Sequence, residues 1–130
     1  MGATAGGAFE ITSFAPELFD EGSAASLGRV TLVKAFTGAL EGASTVTMLT
    51  VADGGGTPLA YVALERFTGE LDGRKGSFVL QHSAPGSGGE RLVVRVVEGT
   101  GSGELAGISG TLEIVQDEGG HTYLLEYELG

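Results

Sequence analysis

The sequence predicts an all-β fold, a single domain over residues 1–130 that forms an eight-stranded antiparallel β-barrel. Three observations support this prediction. Glycine contributes 24 of the 130 residues and clusters between short runs rich in Val, Leu, Thr, Phe and Tyr, the usual pattern of strands separated by turns. No segment carries a sustained apolar stripe with a period of 3.6 residues. With 42% hydrophobic residues, the chain can build one core of ordinary domain size.

The glycine clusters delimit eight predicted strands, which span residues 6–14, 27–37, 40–52, 58–69, 74–83, 90–98, 107–117 and 121–129. Pro16 to Ala25 is too short to bury a helical face, so we predict a loop there with no more than one helical turn. Because the connections are short, consecutive strands should pair as an up-and-down meander. Closure into a barrel then removes the exposed edge strands. A two-sheet sandwich is the alternative.

Asp72-Gly73 fits a two-residue type I′ turn, and this turn predicts the register of one hairpin. The predicted pairs are Leu71–Arg74, Phe67–Phe78, Glu65–Leu80 and Ala63–His82. One face of the hairpin then carries Tyr61, Ala63, Glu65, Phe67, Phe78, Leu80 and His82. The other face carries Val62, Leu64, Arg66, Ser77, Val79 and Gln81. Both faces are mostly apolar, so we expect the barrel interior on one side and a contact between copies on the other, which predicts a homo-oligomer.

Glu65 and His82 are diagonal neighbours on the first face, within reach of each other's side chains. A carboxylate beside an imidazole in apolar surroundings can act as an acid–base pair, so both are candidate catalytic residues. The alternative is a buried structural pair in which each satisfies the other's hydrogen bonds. On the second face, Arg66 and Gln81 are also diagonal neighbours. Arg66 can bind a ligand carboxylate or form a structural or interface ion pair.

Gly119-Gly120 predicts a second hairpin, with the pairs Gln116–Tyr123, Ile114–Leu125 and Leu112–Tyr127 on an inward face. The opposite face, with Thr111, Glu113, Glu126 and Glu128, should be solvated. This register places Glu113 against Glu126, an unfavourable pair of like charges, which indicates that the turn is longer than two residues. The hydroxyl groups of Tyr123 and Tyr127 can reach into a cavity, or the two rings can fill the core.

Composition excludes several classes of function. Seven basic against seventeen acidic residues give a net charge of −10, which disfavours binding to nucleic acid or to an anionic membrane. The chain has no cysteine, and its two histidines are far apart in sequence, so we expect neither a metal site nor a cofactor. The G-x-G-x-x-A pattern over residues 101–106 is followed by Gly107 and Gly110, which disfavour the helix that a dinucleotide site needs. The start of the chain has no signal-peptide pattern and no apolar run could span a membrane, so the expected location is cytoplasmic.

The stretch from Tyr61 to Ser83, above all Gly76-Ser-Phe-Val-Leu-Gln-His82, resembles the DUF3224 family of small bacterial proteins of unassigned function. Residues 32–42, 101–110 and 123–127 fit the same pattern. The resemblance implies a fold similar to the allene oxide cyclase barrel. Barrels of this shape, which include dirigent proteins, steer the cyclisation of reactive apolar substrates without a cofactor, by confining and orienting them.

Three functions follow as hypotheses, and the first two have a small apolar molecule as partner. The first is a cofactor-independent isomerase or cyclase that acts on a natural-product or lipid-like substrate, with Glu65 and His82 as catalytic residues. The second is a non-catalytic barrel that binds a small molecule, and the third is a packed structural or interaction protein. The candidate ligand-binding residues are Tyr61, Phe67, Phe78, Arg66, Gln81, Tyr123 and Tyr127.

Overall fold

A computed structural model describes residues 2–84 and 92–130 and confirms the predicted fold. Within this part of the chain, eight antiparallel strands close into a barrel in sequence order. The strands are β1 (Ala3–Asp20), β2 (Ala25–Gly38), β3 (Leu40–Asp53), β4 (Pro58–Leu71), β5 (Arg74–Ala84), β6 (Val93–Val96), β7 (Ile108–Asp117) and β8 (Gly120–Leu129). A 3-10 helix over Gly103–Leu105 precedes β7. The predicted glycine-rich turn at residues 86–89 and the first two residues of the predicted strand 90–98 lie outside the described residues.

The first strand is longer than predicted, so the prediction of a loop is wrong for residues 16–20, whereas residues 21–24 connect β1 to β2 without strand structure. β1 continues to Asp20, with Pro16 opposite Val30 of β2. Proline is tolerated there because the pairing of β1 with β8 ends at Phe9. Beyond that residue β1 is an edge strand among the described residues, and an edge strand can lack one backbone donor.

The register predicted from Asp72-Gly73 is confirmed. Leu71 pairs with Arg74, Phe67 with Phe78, Glu65 with Leu80 and Ala63 with His82. Asp72 has φ 50° and Gly73 has φ 83°, the two positive values that a type I′ turn requires. Because residues opposite each other in a ladder project from the same face, this turn decides which side chains of β4 and β5 point into the barrel.

The register predicted for the second hairpin is wrong by two residues. Asp117 pairs with Gly120, so Ile114 lies opposite Tyr123. The loop has two residues, 118 and 119, and the expectation of a longer turn is therefore also wrong. A shift of two preserves the strand faces, so the predicted inward face is still the buried one. The shift also removes the predicted clash of charges, because Glu113 now lies opposite Leu124.

A row of strand glycines bends the sheet near one end of the barrel. Gly69 lies opposite Gly42 on one side and Gly76 on the other. A Cβ atom at Gly69 would lie 2.2 Å from the backbone oxygen of Glu41, and φ at Gly69 is +155°, a value that L residues rarely adopt. The close approach of these backbones therefore requires glycine.

Large apolar side chains pack the barrel toward the end that holds the Asp72-Gly73 turn, which we call the closed end. Leu105 of the 3-10 helix is fully buried and belongs to this core. The other buried residues of the core include Phe36, Leu40, Phe67, Leu71, Phe78, Leu80, Ile108 and Leu125. We call the opposite end, where β1 extends beyond β8, the open end. Among the described residues, no helix is both long and apolar enough to cross a membrane.

Candidate functional site

Four polar side chains meet inside the barrel, and we call them the Glu65 network: Lys34, Ser44, Glu65 and His82. They come from the four consecutive strands β2 to β5 and all four are buried. Ladder pairing places them on the same side of the sheet, because Lys34 pairs with Ser44, Ser44 with Phe67, and Phe67 with Phe78. The alternation of each strand then carries Glu65 and His82 onto this inward face.

Glu65 is the centre of the network and is only 1% exposed. Its Oε1 atom lies 2.7 Å from Nε2 of His82 and 3.3 Å from Nζ of Lys34. Its Oε2 atom accepts a hydrogen bond from the hydroxyl group of Ser44 at 2.5 Å. The predicted contact between Glu65 and His82 is therefore present, and both carboxylate oxygens have donors.

The surroundings of Glu65 keep it ionised. Burial alone would raise the pKa of this carboxyl, but the hydrogen bond from His82, the charge of Lys34 and the hydrogen bond from Ser44 outweigh burial and lower its pKa. A buried carboxylate beside a buried ammonium group forms an internally neutral pair. The network therefore holds its charges without help from solvent.

The ionised carboxylate also determines the tautomer of His82. A carboxylate can only accept hydrogen bonds, so Nε2 of His82 must carry the proton that lies between the two residues. In the neutral ring, Nδ1 is then an acceptor. Among the described residues, Nδ1 has no hydrogen-bond partner. The arrangement is that of a histidine oriented by a carboxylate, whose free nitrogen is available as a base.

An aromatic pair supports Lys34 on the side away from His82. Nζ of Lys34 lies 4.4 Å from the ring centroid of Phe9, a cation–π contact. The ring of Phe9 in turn stacks on His121 of β8, with 4.9 Å between the ring centroids. These contacts fix the ammonium group near Glu65 and connect the network to the seam between β1 and β8.

The network lies between two apolar layers of different character. On the closed-end side are the packed rings of Phe67 and Phe78. Toward the open end, Leu32, Val46 and Ala63 form a smaller buried cluster, to which Val30, Met48 and Tyr61 add partly buried side chains. The network therefore lies between the large packed core at the closed end and the smaller apolar cluster toward the open end.

The inner surface of β1 at the open end is apolar and exposed. Phe14 pairs with Leu32 and therefore projects from the inward face, yet it is 62% exposed. Leu18, opposite Gly28, is also exposed. Both lie beyond the last contact between β1 and β8, so no side chain of β8 covers them. We call Phe14, Leu18, Leu32, Met48 and Tyr61 the mouth of the barrel.

The structure brings one other predicted ligand-binding residue to the Glu65 network. Tyr61 is half-buried, and its ring centroid lies 6.5 Å from that of His82. Burial, together with the negative charge of Glu65, raises the pKa of Tyr61, so its hydroxyl group stays protonated at neutral pH.

The remaining predicted ligand-binding residues lie elsewhere. Tyr123 binds backbone at the closed end, where its hydroxyl group accepts a hydrogen bond from the Leu40 amide at 2.7 Å. Tyr127 donates to the carboxylate of Asp72 at 2.5 Å. Phe67 and Phe78 are fully buried core, whereas Arg66 and Gln81 are exposed on the outer wall. Their ligand-binding roles stay predictions.

Sequence reasoning missed Lys34 and Ser44. A signal was present, because Leu32, Lys34 and Phe36 alternate along β2 on one face, as Ser44 and Val46 do along β3. A lysine between two inward apolar residues of a strand has to be buried if the strand is in a barrel. Without a turn that defined the register of β2 and β3, this alternation could not be joined to Glu65.

The outer wall of β3 to β5 carries two shallow apolar depressions. Their volumes are about 310 and 540 Å³, and both are lined by Leu49 and Val62. Leu64, next along β4, is 56% exposed. These depressions lie outside the barrel, on the predicted contact face. In residues 2–84 and 92–130, no three His, Asp or Glu side chains are grouped as metal ligands would be.

Comparison with known proteins places the chain among small proteins of unknown function. The family model described as a protein of unknown function, DUF3224, matches residues 5–127. A crystal structure of a DUF3224 protein of unknown function from Shewanella oneidensis MR-1 superposes with a TM-score of 0.86 and 34% sequence identity, over 100% of this chain and 98% of the other. No curated protein matches the chain. Since the family model spans nearly the whole barrel, the chain belongs to the DUF3224 family.

Proposed function

We propose that this barrel binds a small, mostly apolar molecule in its mouth, with the Glu65 network as the polar floor of the site. The observation that carries the proposal is the exposed apolar inner surface of β1, with Phe14 at 62% exposure, on the open-end side of the small apolar cluster that covers the Glu65 network. Exposed aromatic side chains on a concave, inward-facing surface are typical of a surface that a ligand covers. The cytoplasmic location expected from the sequence stays a prediction.

A neutral fluorescent probe, N-phenyl-1-naphthylamine, tests this proposal by its increase in emission on binding. We expect wild type to bind the probe and Phe14→Ser to bind it at least about fivefold more weakly, because that substitution removes a large apolar contact of about 1 kcal/mol or more. Leu124→Ser is the matched control, since Leu124 is also exposed but lies on the outer wall, away from the mouth and from the predicted contact face. Equal binding by both variants, or no binding by wild type, would support the packed barrel instead.

A second candidate function is catalysis, a cofactor-independent isomerisation or cyclisation of the bound molecule. The observation in its favour is the 2.7 Å hydrogen bond that orients His82 and leaves Nδ1 as a base. In this mechanism His82 takes a proton from the substrate and returns it at another position, while Glu65 stabilises the imidazolium ion. The mouth holds the substrate in one conformation, which lowers the entropic part of the barrier.

Native mass spectrometry of the protein after incubation with cell extract would identify a ligand, and the recovered molecule would then be incubated with wild type and with His82→Ala. Conversion by wild type, with a loss of about a hundredfold or more in the variant, is the catalytic outcome. Binding without conversion is the outcome for a non-catalytic binding protein. Conversion that does not depend on His82 would contradict the proposed role of this residue.

A further inference from the structure

We propose that the ligand is an uncharged molecule with one hydrogen-bond donor, such as a phenol or an enol on an apolar body, and that this donor binds Nδ1 of His82. This inference rests on the proposed binding site in the mouth and adds the chemical class of the ligand. It follows from the tautomer of His82, from the charge of the network and from the side chains that surround it.

The tautomer of His82 requires that a ligand at Nδ1 be a hydrogen-bond donor. Nε2 donates to Oε1 of Glu65, so the neutral ring offers only the lone pair of Nδ1 to a second partner. His82 is 3% exposed, and no donor among the described residues reaches Nδ1. Among the described residues, no buried side-chain nitrogen or oxygen atom lacks a hydrogen-bond partner, so Nδ1, which has no protein donor, keeps contact with solvent. A ligand hydroxyl group can donate to Nδ1, whereas an ether or ketone oxygen cannot.

The charge of the network calls for a neutral ligand. The carboxylate of Glu65 is balanced by the ammonium group of Lys34 at 3.3 Å, and both side chains are nearly inaccessible to solvent. An anionic ligand would add a charge beside Glu65, and the cation that the described residues place there, Lys34, is already paired with that carboxylate. A cationic ligand could donate a hydrogen bond to Nδ1, but the positive charge of Lys34 would repel it. Burial of an unbalanced charge costs several kcal/mol, which exceeds the gain from one hydrogen bond.

The neighbours of His82 call for an apolar body attached to that donor. His82 pairs with Ala63 on one side and Val94 on the other, and both are buried. The small cluster of Leu32, Val46 and Ala63 continues this apolar surface toward the mouth. The half-buried ring of Tyr61 borders it on the same face. We therefore expect the ligand to have one hydrogen-bond donor at the end that reaches His82 and to be apolar elsewhere.

Three naphthalenes of almost equal size separate the possibilities: 2-naphthol, which donates; 2-methoxynaphthalene, which only accepts; and 2-naphthoate, which is an anion. Calorimetric titration at about pH 8 keeps the naphthol hydroxyl group neutral. We expect wild type to bind 2-naphthol about tenfold more tightly than the methyl ether, the effect of one hydrogen bond, and 2-naphthoate most weakly. His82→Phe should bind naphthol and ether equally. Leu124→Thr, a control on the outer wall, should keep the preference.

Failure of the inference is distinct from failure of the proposed site. If none of the three naphthalenes binds wild type, the site itself is absent. If all three bind alike, or if 2-naphthoate binds most tightly, the site stands and the assignment of a neutral donor is wrong. Nitrogen-15 NMR of wild type provides a test that needs no variant. It should report a protonated Nε2 and an unprotonated Nδ1 for His82, with the Nδ1 signal shifted on addition of 2-naphthol. The opposite tautomer overturns the inference.

Discussion

Substitution of Lys34 by methionine should destabilise the protein far more than substitution of Arg29 by methionine. The distance from nitrogen to oxygen is shorter in the Arg29–Glu17 pair, but that pair lies at the surface. Lys34→Met leaves the carboxylate of Glu65 in the barrel interior without its cation, which costs about 3–5 kcal/mol. That is a large part of the 5–15 kcal/mol or so that stabilises an ordinary domain. Arg29→Met is the control, because Arg29 and Glu17 lie only 2.7 Å apart but have half-exposed side chains, and such pairs contribute about 0–1 kcal/mol.

The double variant Lys34→Met/Glu65→Leu completes the experiment. It removes both charges, and apolar replacement of a buried ion pair is often neutral or stabilising, so the double variant should be more stable than either single variant. The assay is urea unfolding at about pH 8, followed by far-ultraviolet circular dichroism. The reasoning is refuted if Lys34→Met costs no more than Arg29→Met, or if the two single costs simply add.

Three other outcomes are expected. As pH falls through 4.5, the ordinary pKa of a glutamate, wild type should lose stability that Glu65→Gln does not lose. The reason is that the pKa of Glu65 is lowered in the folded protein, so the unfolded chain binds this proton at a higher pH; parallel curves of urea midpoint against pH would contradict this. Gly69→Ala should cost about 2 kcal/mol or more through its clash with backbone, whereas Gly6→Ala, which meets only ordinary contacts, should cost under about 1 kcal/mol by thermal unfolding. We also expect the apolar outer surface around Leu64 to bind a second copy of the chain. Leu64→Thr should then lower the mass measured by light scattering, whereas Leu124→Thr, on the outer surface that carries Glu113 and Glu126, should not. A monomeric wild type would contradict this.

The sequence predicted the contact between Glu65 and His82 because one local motif decides it. Asp72-Gly73 is nearly specific for a type I′ turn, and a two-residue loop permits one register. Eight residues beyond the Leu71–Arg74 pair, the alternation of the strands still holds without a bulge, so the pairing of Ala63 with His82 follows. The second hairpin was displaced by two residues because adjacent glycines allow two loops, over residues 119–120 or 118–119.

The other half of the network and the end of β1 could not be obtained in this way. Lys34 and Ser44 approach Glu65 through the pairing of β2, β3 and β4, and no turn motif defines those two registers. Lysine is also usually exposed, and its burial becomes visible only when Phe9 and Glu65 are seen around it. Pro16 indicated the end of a strand, but the barrel leaves that stretch of β1 at an edge, where proline is compatible with a strand.

Stability alone does not explain why four strands contribute polar side chains to one level of the barrel. The core below the network packs Phe67, Phe78 and Leu80 without any charge, so apolar side chains can fill this interior. A buried ion pair gains little over apolar packing of similar volume. The network lies at the boundary between that core and the mouth, where Phe14 is exposed on the inner face. A structural role would suit any level of the barrel, whereas a role in binding requires the polar group to lie where a ligand can reach it. The position of Glu65 and His82, next to this boundary, is the one that the proposed binding role requires.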